Sequence, residues 1–356
     1  MNFTLHLTEN CNMDCSYCIR NKTPKDMPLE VLYKACDLAF SKGTRAGIVF
    51  FGGEPLLKKD LIYKAIDYCE AKSSETGIKF SCKMTTNGTL LDEEFLKRAS
   101  KAGMKIGLSF DGMGQDISRR FPDGSSSADL LEKKAKLILS YLPNTMAMLT
   151  LDPKACGVLS ESVKYLISLG FHDVSTVMAY GRNVSWTDED LEIYKGEINK
   201  VADFYREEFK AGRKYFVTPL VNKIRECVAG KNSAEHCHLG TRQMSVTPDG
   251  KIYPCTLFIG DEDFYMGDVF DGLDKERMAE IAKRSNTPET CKECDLRKRC
   301  TNSCGCANRM NTGSENKVSP LQCTYERTII EVADRLGNEL YEYSEKEFVD
   351  FFARKA

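Results

Sequence analysis

Cys11, Cys15 and Cys18 stand in the run Cys11-Asn-Met-Asp-Cys15-Ser-Tyr17-Cys18, directly after Phe3-Thr-Leu5-His-Leu7, an apolar alternation that reads as a strand. Soft thiolates select zinc, copper(I) or iron–sulfur clusters, and a loop leaving a strand can wrap three of them around one centre. A structural zinc site takes four protein ligands. Three cysteines on one tight loop suit instead a [4Fe–4S] cluster whose fourth iron stays open to another ligand.

A second set of cysteines lies in the other half of the chain. Cys237 is followed by twelve residues, Gly250, four more and Cys255; then come Cys291-x2-Cys294-x5-Cys300-x3-Cys304 and finally Cys323. From Cys227 onward helical periodicity fades while glycine and cysteine rise. Paired C-x2-C spacings also occur in zinc knuckles. Sixteen cysteines among 356 residues, with no secretory signal, argue for metal over disulfides. Cys36, Cys69, Cys82 and Cys156 fall on apolar positions of the first half, where free cysteine behaves as a small buried hydrophobe.

A net charge of −2 removes the electrostatic case for a nucleic-acid partner. The apolar stretches are too short and too interrupted to span a bilayer, so no membrane association and a cytoplasmic location are expected. The elements that must position the cysteine loop are regular. Strands expected at Thr4–Leu7, Ala46–Phe51, Lys79–Thr85, Lys105–Phe110, Thr145–Leu151 and Val174–Ala179 alternate with helices at Leu29–Ser41, Lys59–Glu75, Glu93–Ala102, Ala128–Tyr141, Gly157–Leu169 and Asp188–Ala211. Six βα units predict an α/β fold, a partial (β/α)6 barrel. Barrel enzymes work at the carboxyl ends of their strands. The cysteine loop lies at such an end, as do Gly52-Gly53-Glu54-Pro55, Thr86-Asn87-Gly88-Thr89 and Ser109-Phe110-Asp111-Gly112. Glu54 offers a carboxylate to an ammonium group, and the two glycines admit a ligand close to the backbone.

The C-x3-C-x2-C loop, with an aromatic before its last cysteine and Gly-Gly-Glu-Pro behind it, resembles the radical S-adenosylmethionine (SAM) enzymes. The resemblance implies a [4Fe–4S] cluster on Cys11, Cys15 and Cys18 whose open iron chelates SAM. Reductive cleavage of the sulfonium then yields a 5′-deoxyadenosyl radical that takes a hydrogen atom from substrate. It also implies that Tyr17 covers the adenine, that Gly52, Gly53 and Glu54 meet the SAM amino group, and that Asn87, Ser109 and Asp111 contact the cofactor. Asp116-Ile-Ser-Arg119, with Gly124 beyond it, resembles a D-x-x-R segment of peptide-modifying members. That match makes Arg119 the partner of the SAM carboxylate, with Arg120 competing. No single catalytic acid or base announces itself.

The ordered cysteines of the second half are similar to those of the SPASM domain, a small α+β unit carrying two auxiliary [4Fe–4S] clusters. By analogy Cys291, Cys294, Cys300 and Cys323 hold the distal cluster. Cys237, Cys255 and Cys304 hold the proximal one, with Cys227 the candidate fourth ligand and Cys306, His236 and His238 as further candidates; some members leave that iron open. The division that follows is 1–225 for the barrel, 226–326 for the SPASM domain and 327–356 for a helical tail. Gly250 in Thr247-Pro-Asp-Gly250-Lys is expected to turn a hairpin.

The implied cofactors are SAM and three [4Fe–4S] clusters, two of them auxiliary, and such chemistry suits an anaerobic setting. The implied function is maturation of a ribosomally made peptide by a thioether, C–C or C–O crosslink or a related oxidation, with a flavodoxin- or ferredoxin-type electron donor. Ten residues before Cys11 leave no room for a leader-binding winged helix, so recognition falls to the barrel mouth or to a separate leader-binding protein. Anaerobic sulfatase maturases, which make formylglycine, share the architecture. They place an aspartate after the cysteine equivalent to Cys255, where this chain has Thr256, with Asp261 and Glu262 nearby. A small-molecule enzyme and a non-catalytic iron–sulfur carrier are the other readings; a carrier has no need of Glu54, Asn87 and Asp111 after successive strands. Tyr180, Arg182, Trp186 and Tyr253 are candidate substrate contacts.

Overall fold

The computed structural model describes residues 2–41, 43–181, 183–230, 239–241, 243–284, 288–302 and 304–353. Nine strands form one sheet: β1 (Asn2–His6), β2 (Arg45–Phe51), β3 (Lys79–Thr86), β4 (Lys105–Ser109), β5 (Met146–Leu151), β6 (Asp173–Met178), β7 (Phe216–Thr218), β8 (Gln243–Val246) and β9 (Ile252–Tyr253). Their spatial order is β9-β8-β1-β2-β3-β4-β5-β6-β7. Every neighbouring pair is parallel except β8 with β9.

Parallel pairing demands crossovers. They are supplied by α1 (Leu29–Phe40), α2 (Lys59–Thr76), α3 (Glu93–Lys101), α4 (Ala128–Tyr141), α5 (Leu159–Ser168) and α6 (Asp188–Lys210). Local chemistry sets the ends. Asp92 caps α3 by accepting from Phe95 N at 2.8 Å, and Thr187 with Asp190 forms a capping box on α6. In β1 Phe3 and Leu5 alternate with Thr4 and His6, and all four are buried, as in a strand covered on both faces. Truncating Leu5 to alanine there costs about 2–5 kcal/mol.

The six expected strands and six helices are present with ends shifted by one or two residues, and the sheet is longer than six strands at both edges. At one edge β7 follows β6. At the other, β8 comes from the cysteine-rich half and pairs in parallel with β1, Asn2 opposite Gln243 and Leu5 opposite Val246. The sheet therefore runs across the 225/226 division. Gly250, at φ +88°, turns the β8–β9 hairpin, its N–H donating to Thr247 O at 2.9 Å.

After α7 (Leu220–Ala229) the cysteine-rich half adds α8 (Lys275–Arg284), α9 (Gly305–Thr312) and α10 (Pro320–Tyr343). Helix α10 begins three residues before Cys323 and runs unbroken through the 326/327 division, burying Ile329, Ala333, Leu336 and Leu340 as it packs on α6 and α7. Among the described residues no helix is long and apolar enough to cross a membrane.

Candidate cofactor and cluster sites

The cysteine loop leaves β1 and folds back on backbone of the neighbouring strand end. Gly53 N donates to Thr8 O at 2.8 Å and Glu54 N to Asn10 O at 2.9 Å. A Cβ on Gly52 would stand 2.4 Å from Thr8 O, and one on Gly53 2.1 Å from Asn10 O. These glycines are thus required by the loop-to-loop contact, a physical reason different from the close ligand approach expected. On its other side the loop forms a two-residue antiparallel ribbon, Asp14–Cys15 with Arg119–Arg120, that sets Cys15 opposite Arg119. Asp152, at the end of β5, accepts from Ser16 Oγ at 3.0 Å and Ser118 Oγ at 2.9 Å, clamping both strands of that ribbon.

Glu54 is fully buried and engages three donors: Leu56 N at 3.0 Å, Thr86 Oγ1 at 2.6 Å and Asn87 N at 2.8 Å. Burial pushes its carboxyl up to about 6 against the pull of those hydrogen bonds. Among the described residues none forms an ion pair with it. Asn87 donates through Nδ2 to Asn12 Oδ1 at 2.9 Å and lies 3.9 Å from Cys11 Sγ, tying the end of β3 to the cysteine loop.

At the end of β4, Asp111 accepts from Tyr17 OH, Arg119 Nε and Thr150 N, each at 2.8 Å. Burial raises the Asp111 carboxyl although Arg119 opposes it. Burial likewise works against charge on Arg119, but Asp111, Tyr17 and Cys15 together hold its pKa above the ordinary guanidinium range. Its planar group lies 5.2 Å from the Tyr17 ring centroid and its Nη1 is 3.9 Å from Cys15 Sγ. Arg120 points elsewhere, donating to Gly124 O at 3.0 Å.

Cys11, Cys15, Cys18, Tyr17, Gly52, Gly53, Glu54, Asn87, Ser109 and Arg119 line one cavity of about 240 Å³. Asp111 does not; it positions Tyr17 and Arg119. The donor set fits the implied group: three thiols on one loop, two N–H donors aimed at their sulfurs, and a buried carboxylate with no cation of its own.

In the second half, Cys291, Cys294, Cys300 and Cys323 line a single cavity of about 40 Å³, so the four cysteines expected to hold the distal cluster share one wall. Lys223, buried on α7, pairs with Glu326 at 2.9 Å and donates to Arg299 O, while Glu326 accepts from Thr301 N at 3.0 Å, bracing the segment that carries Cys300. Arg299 pairs with Asp334 at 2.6 Å. Elsewhere Cys255, Cys304 and Cys306 meet, with Cys306 Sγ 3.6 Å from Cys255 Sγ and 3.3 Å from Cys304 Sγ. Cys306 belongs to this group although the motif spacing left it only a further candidate. Cys227 departs from expectation: it is exposed on the last turn of α7 and close to Arg299, on the distal side. Cys237, His236, His238 and Arg182 lie outside the described residues.

Between the two halves, Arg20 donates to Thr256 O at 2.6 Å, and Thr256 Oγ1 lies 3.0 Å from Ser245 Oγ and 3.4 Å from His6 Nε2. Burial, with the charge of Arg20, keeps the His6 imidazole well below its usual range and neutral. Sequence reasoning missed His6 and Arg20 because their partners lie about 240 residues away along the chain. Trp186 is a packing residue, buried with Nε1 donating to Ala179 O at 2.8 Å, and Tyr253 is buried against Tyr265. Tyr180 sits beside the proximal cysteines, where burial and their thiols raise its phenol.

Residues 5–154 match the radical SAM superfamily, and residues 237–295 match SPASM, an iron–sulfur cluster-binding domain. Over 173 residues the chain is 34% identical to an uncharacterized protein of Methanocaldococcus jannaschii, covering 48% of this chain and 60% of that relative, which is under two thirds of its length. Over 325 residues it is 24% identical to the cysteine-type anaerobic sulfatase-maturating enzyme of Clostridium perfringens, covering 83% and 86%. Over 348 residues it is 23% identical to the PqqA peptide cyclase of Gluconobacter oxydans, covering 90% of each. Among solved structures, anSMEcpe with bound AdoMet and a peptide superimposes with a TM-score of 0.79 at 21% identity over 99% of each chain. Streptococcus suis SuiB bound to its precursor peptide SuiA gives 0.63 at 15% identity, over 90% of this chain and 75% of that one. At such identities the structures share a fold.

Proposed function

Because the chain belongs to the radical SAM superfamily and carries a SPASM domain, with SAM and [4Fe–4S] clusters as its cofactors, we propose that it matures a peptide by radical crosslinking or a related oxidation. The observation that carries this reading is a pair of adjoining cavities. One of about 240 Å³ shares Cys18, Ile19, Arg20 and Leu257 in its lining with a second of about 890 Å³ that reaches Cys306. The second lies within the usual range of about 300–1,000 Å³ for small-molecule sites, so a peptide segment is favoured by the character of its wall and not by its size. Its wall mixes Asp261, Glu262 and Arg309 with Phe258, Ile259 and Met310, giving both polar and apolar subsites.

Bound together, a cluster and SAM supply an adenosyl radical able to take hydrogen from an unactivated carbon. The residues of this chain do the rest. Glu54 offers its uncompensated carboxylate to the SAM ammonium group, and Arg119, held by Asp111, offers Nη1 and Nη2 to the carboxylate. Tyr17, stacked against Arg119 and pinned through its hydroxyl, forms a wall for the adenine. Ile19 and Leu257 line both cavities and give their shared wall an apolar surface. Cys11, Cys15 and Cys18 would hold the cluster that meets SAM, and the cysteines of the second half would hold the auxiliary clusters, which would supply electron-transfer capacity there.

A second reading, formylglycine formation, is favoured by the overlay on anSMEcpe across the whole chain. It needs a base near the substrate. Thr256 carries no carboxylate, and Asp261 is engaged by Arg309 at 2.8 Å. The test is anaerobic turnover with SAM, dithionite and synthetic peptides rich in cysteine, serine and aromatic residues, reading 5′-deoxyadenosine and peptide mass together. A peptide that loses a pair of hydrogens and resists proteolysis between two residues supports crosslinking. Replacement of a cysteine sulfur by oxygen selects the second reading, and nucleoside formed only with a small metabolite sinks both.

A further inference from the structure

Arg20 follows Cys18 by two residues and lines three adjoining cavities: the one of about 240 Å³ with Cys11, Cys15 and Cys18, the one of about 890 Å³ with Asp261 and Arg309, and a third of about 280 Å³ with His6 and Glu9. Among the described residues its only hydrogen bond runs from Nη2 to Thr256 O at 2.6 Å. That acceptor is itself held, since Thr256 begins a short helical turn after Cys255 and its hydroxyl lies 3.0 Å from Ser245 Oγ on β8. One bond thus pins the guanidinium and leaves Nε and Nη1 without a protein acceptor. The other strong cations on these walls are paired: Lys22 with Asp14, Arg119 with Asp111, and Arg309 with Asp261. Arg20 has no carboxylate partner among the described residues. Glu9, which shares the third cavity, accepts instead from Thr23 Oγ1, and Glu262 pairs with Lys251. A guanidinium cannot shed its charge, and drawing it away from water is costly until an anion meets it. Its planar fork matches a carboxylate through two parallel hydrogen bonds.

We propose that Arg20 is a carboxylate subsite for the peptide. It takes an acidic side chain or the terminal carboxylate of the segment, and so holds the adjoining residue beside the 240 Å³ cavity while the rest extends into the larger one. The SAM carboxylate has its own partner in Arg119, which leaves Arg20 to a second molecule. A neutral isostere at the same position leaves the cation unpaired once water is displaced, so the subsite selects for charge. The inference rests on the peptide reading, and the experiment separates the two.

The probe is a pool of random-sequence, N-acetylated octapeptides, made once as C-terminal amides and once as free acids. Each pool is presented with SAM to the anaerobically reconstituted full-length enzyme, and retained peptides are read by mass spectrometry. Peptides with Asp or Glu should be retained at least about tenfold over those with Asn or Gln at the same position, the worth of one hydrogen bond to a charged group. That preference in both pools assigns the subsite to a side chain; a tenfold advantage of free acids over the same sequences as amides assigns it to the chain terminus. Arg20→Gln should remove the preference and Arg20→Lys keep part of it. Arg20→Glu should turn it toward Lys and Arg, a reversal that a merely structural residue does not give. Retention of no peptide from either pool overturns the peptide reading and the subsite with it. Retention without carboxylate preference, or with a preference unchanged in Arg20→Gln, overturns the subsite alone. So does a loss of iron from Arg20→Gln relative to wild type, which would give the guanidinium to the cluster on Cys18.

Discussion

The two cysteine centres of the second half differ in how the chain builds them. The distal one draws Cys291, Cys294 and Cys300 from one short stretch and Cys323 from the start of α10, around their own cavity. Its support comes from buried and half-buried ion pairs, Lys223 with Glu326 and Arg299 with Asp334. The proximal one is assembled across the molecule. Cys255 is fixed by the β8–β9 hairpin on the barrel edge, Thr256 beside it receives Arg20 from the radical-site loop, and Cys304 and Cys306 come from α9. One centre is self-contained and braced from behind; the other is part of the wall of the reaction space. On the proposed reading, a braced, peripheral centre would suit exchange with a protein electron donor, whereas a centre beside the larger cavity would suit collection of an electron from substrate.

The largest expected effect comes from deleting the third centre. Cys15→Ala should abolish 5′-deoxyadenosine formation while about eight irons remain in the auxiliary pair; loss of the auxiliary iron as well would show that the two are not built independently. Next, Cys294→Ala should remove about four irons and cut coupled peptide turnover by at least roughly tenfold, about 1.4 kcal/mol, with SAM cleavage retained. Unchanged turnover would make the distal centre dispensable and erase the proposed division of labour. Lys223→Met leaves Glu326 buried without its cation, so chemical denaturation should report a loss of about 3–5 kcal/mol. Distal iron should fall while the proximal signal persists; equal loss from both centres would show that the brace is shared.

The smallest effect concerns the radical site itself. Glu54 is raised from 4.5 to about 6, so its charged form is costly in the ligand-free fold, and that cost accumulates as pH rises from 4.5 to about 6 and is complete above it. An ammonium group of SAM offsets it. The thermal stabilisation given by SAM should therefore grow as pH rises toward about 6 and level off above it, and Glu54→Gln should flatten that growth. A wild-type shift independent of pH would detach Glu54 from the SAM ammonium group.

What the sequence made legible was local. Alternating strands, amphipathic crossovers, the C-x3-C-x2-C loop and the turn at Gly250 are each written within a dozen or so residues, and each stands in the structure with small shifts at the ends. The unread features depend on distant partners. Asp152 clamps Ser16 and Ser118, and Arg20 reaches Thr256 across most of the chain. Three-residue β7 is too short to show a period, and β8, though expected as one arm of the Gly250 hairpin, gave no sign of its pairing with β1 because that partner lies about 240 residues away. Cys306 stood only as one of several candidates because spacing along the chain does not show which sulfurs meet in space. The reason for Gly52 and Gly53 was also out of reach, since it depends on how closely residues 8–10 approach them.

The insertion of β1 between β2 and β8 bears on how the protein is made. The strand that launches the cysteine loop leaves the ribosome well before one of its two hydrogen-bonding neighbours, which begins at Gln243. Until that segment emerges, β1 is an open edge on the growing sheet, the kind of surface that pairs with the wrong chain. The nascent polypeptide thus carries the three thiols of the loop beside an unfinished edge until β8 emerges. Iron delivery is accordingly expected to follow the docking of β8, which shuts that edge.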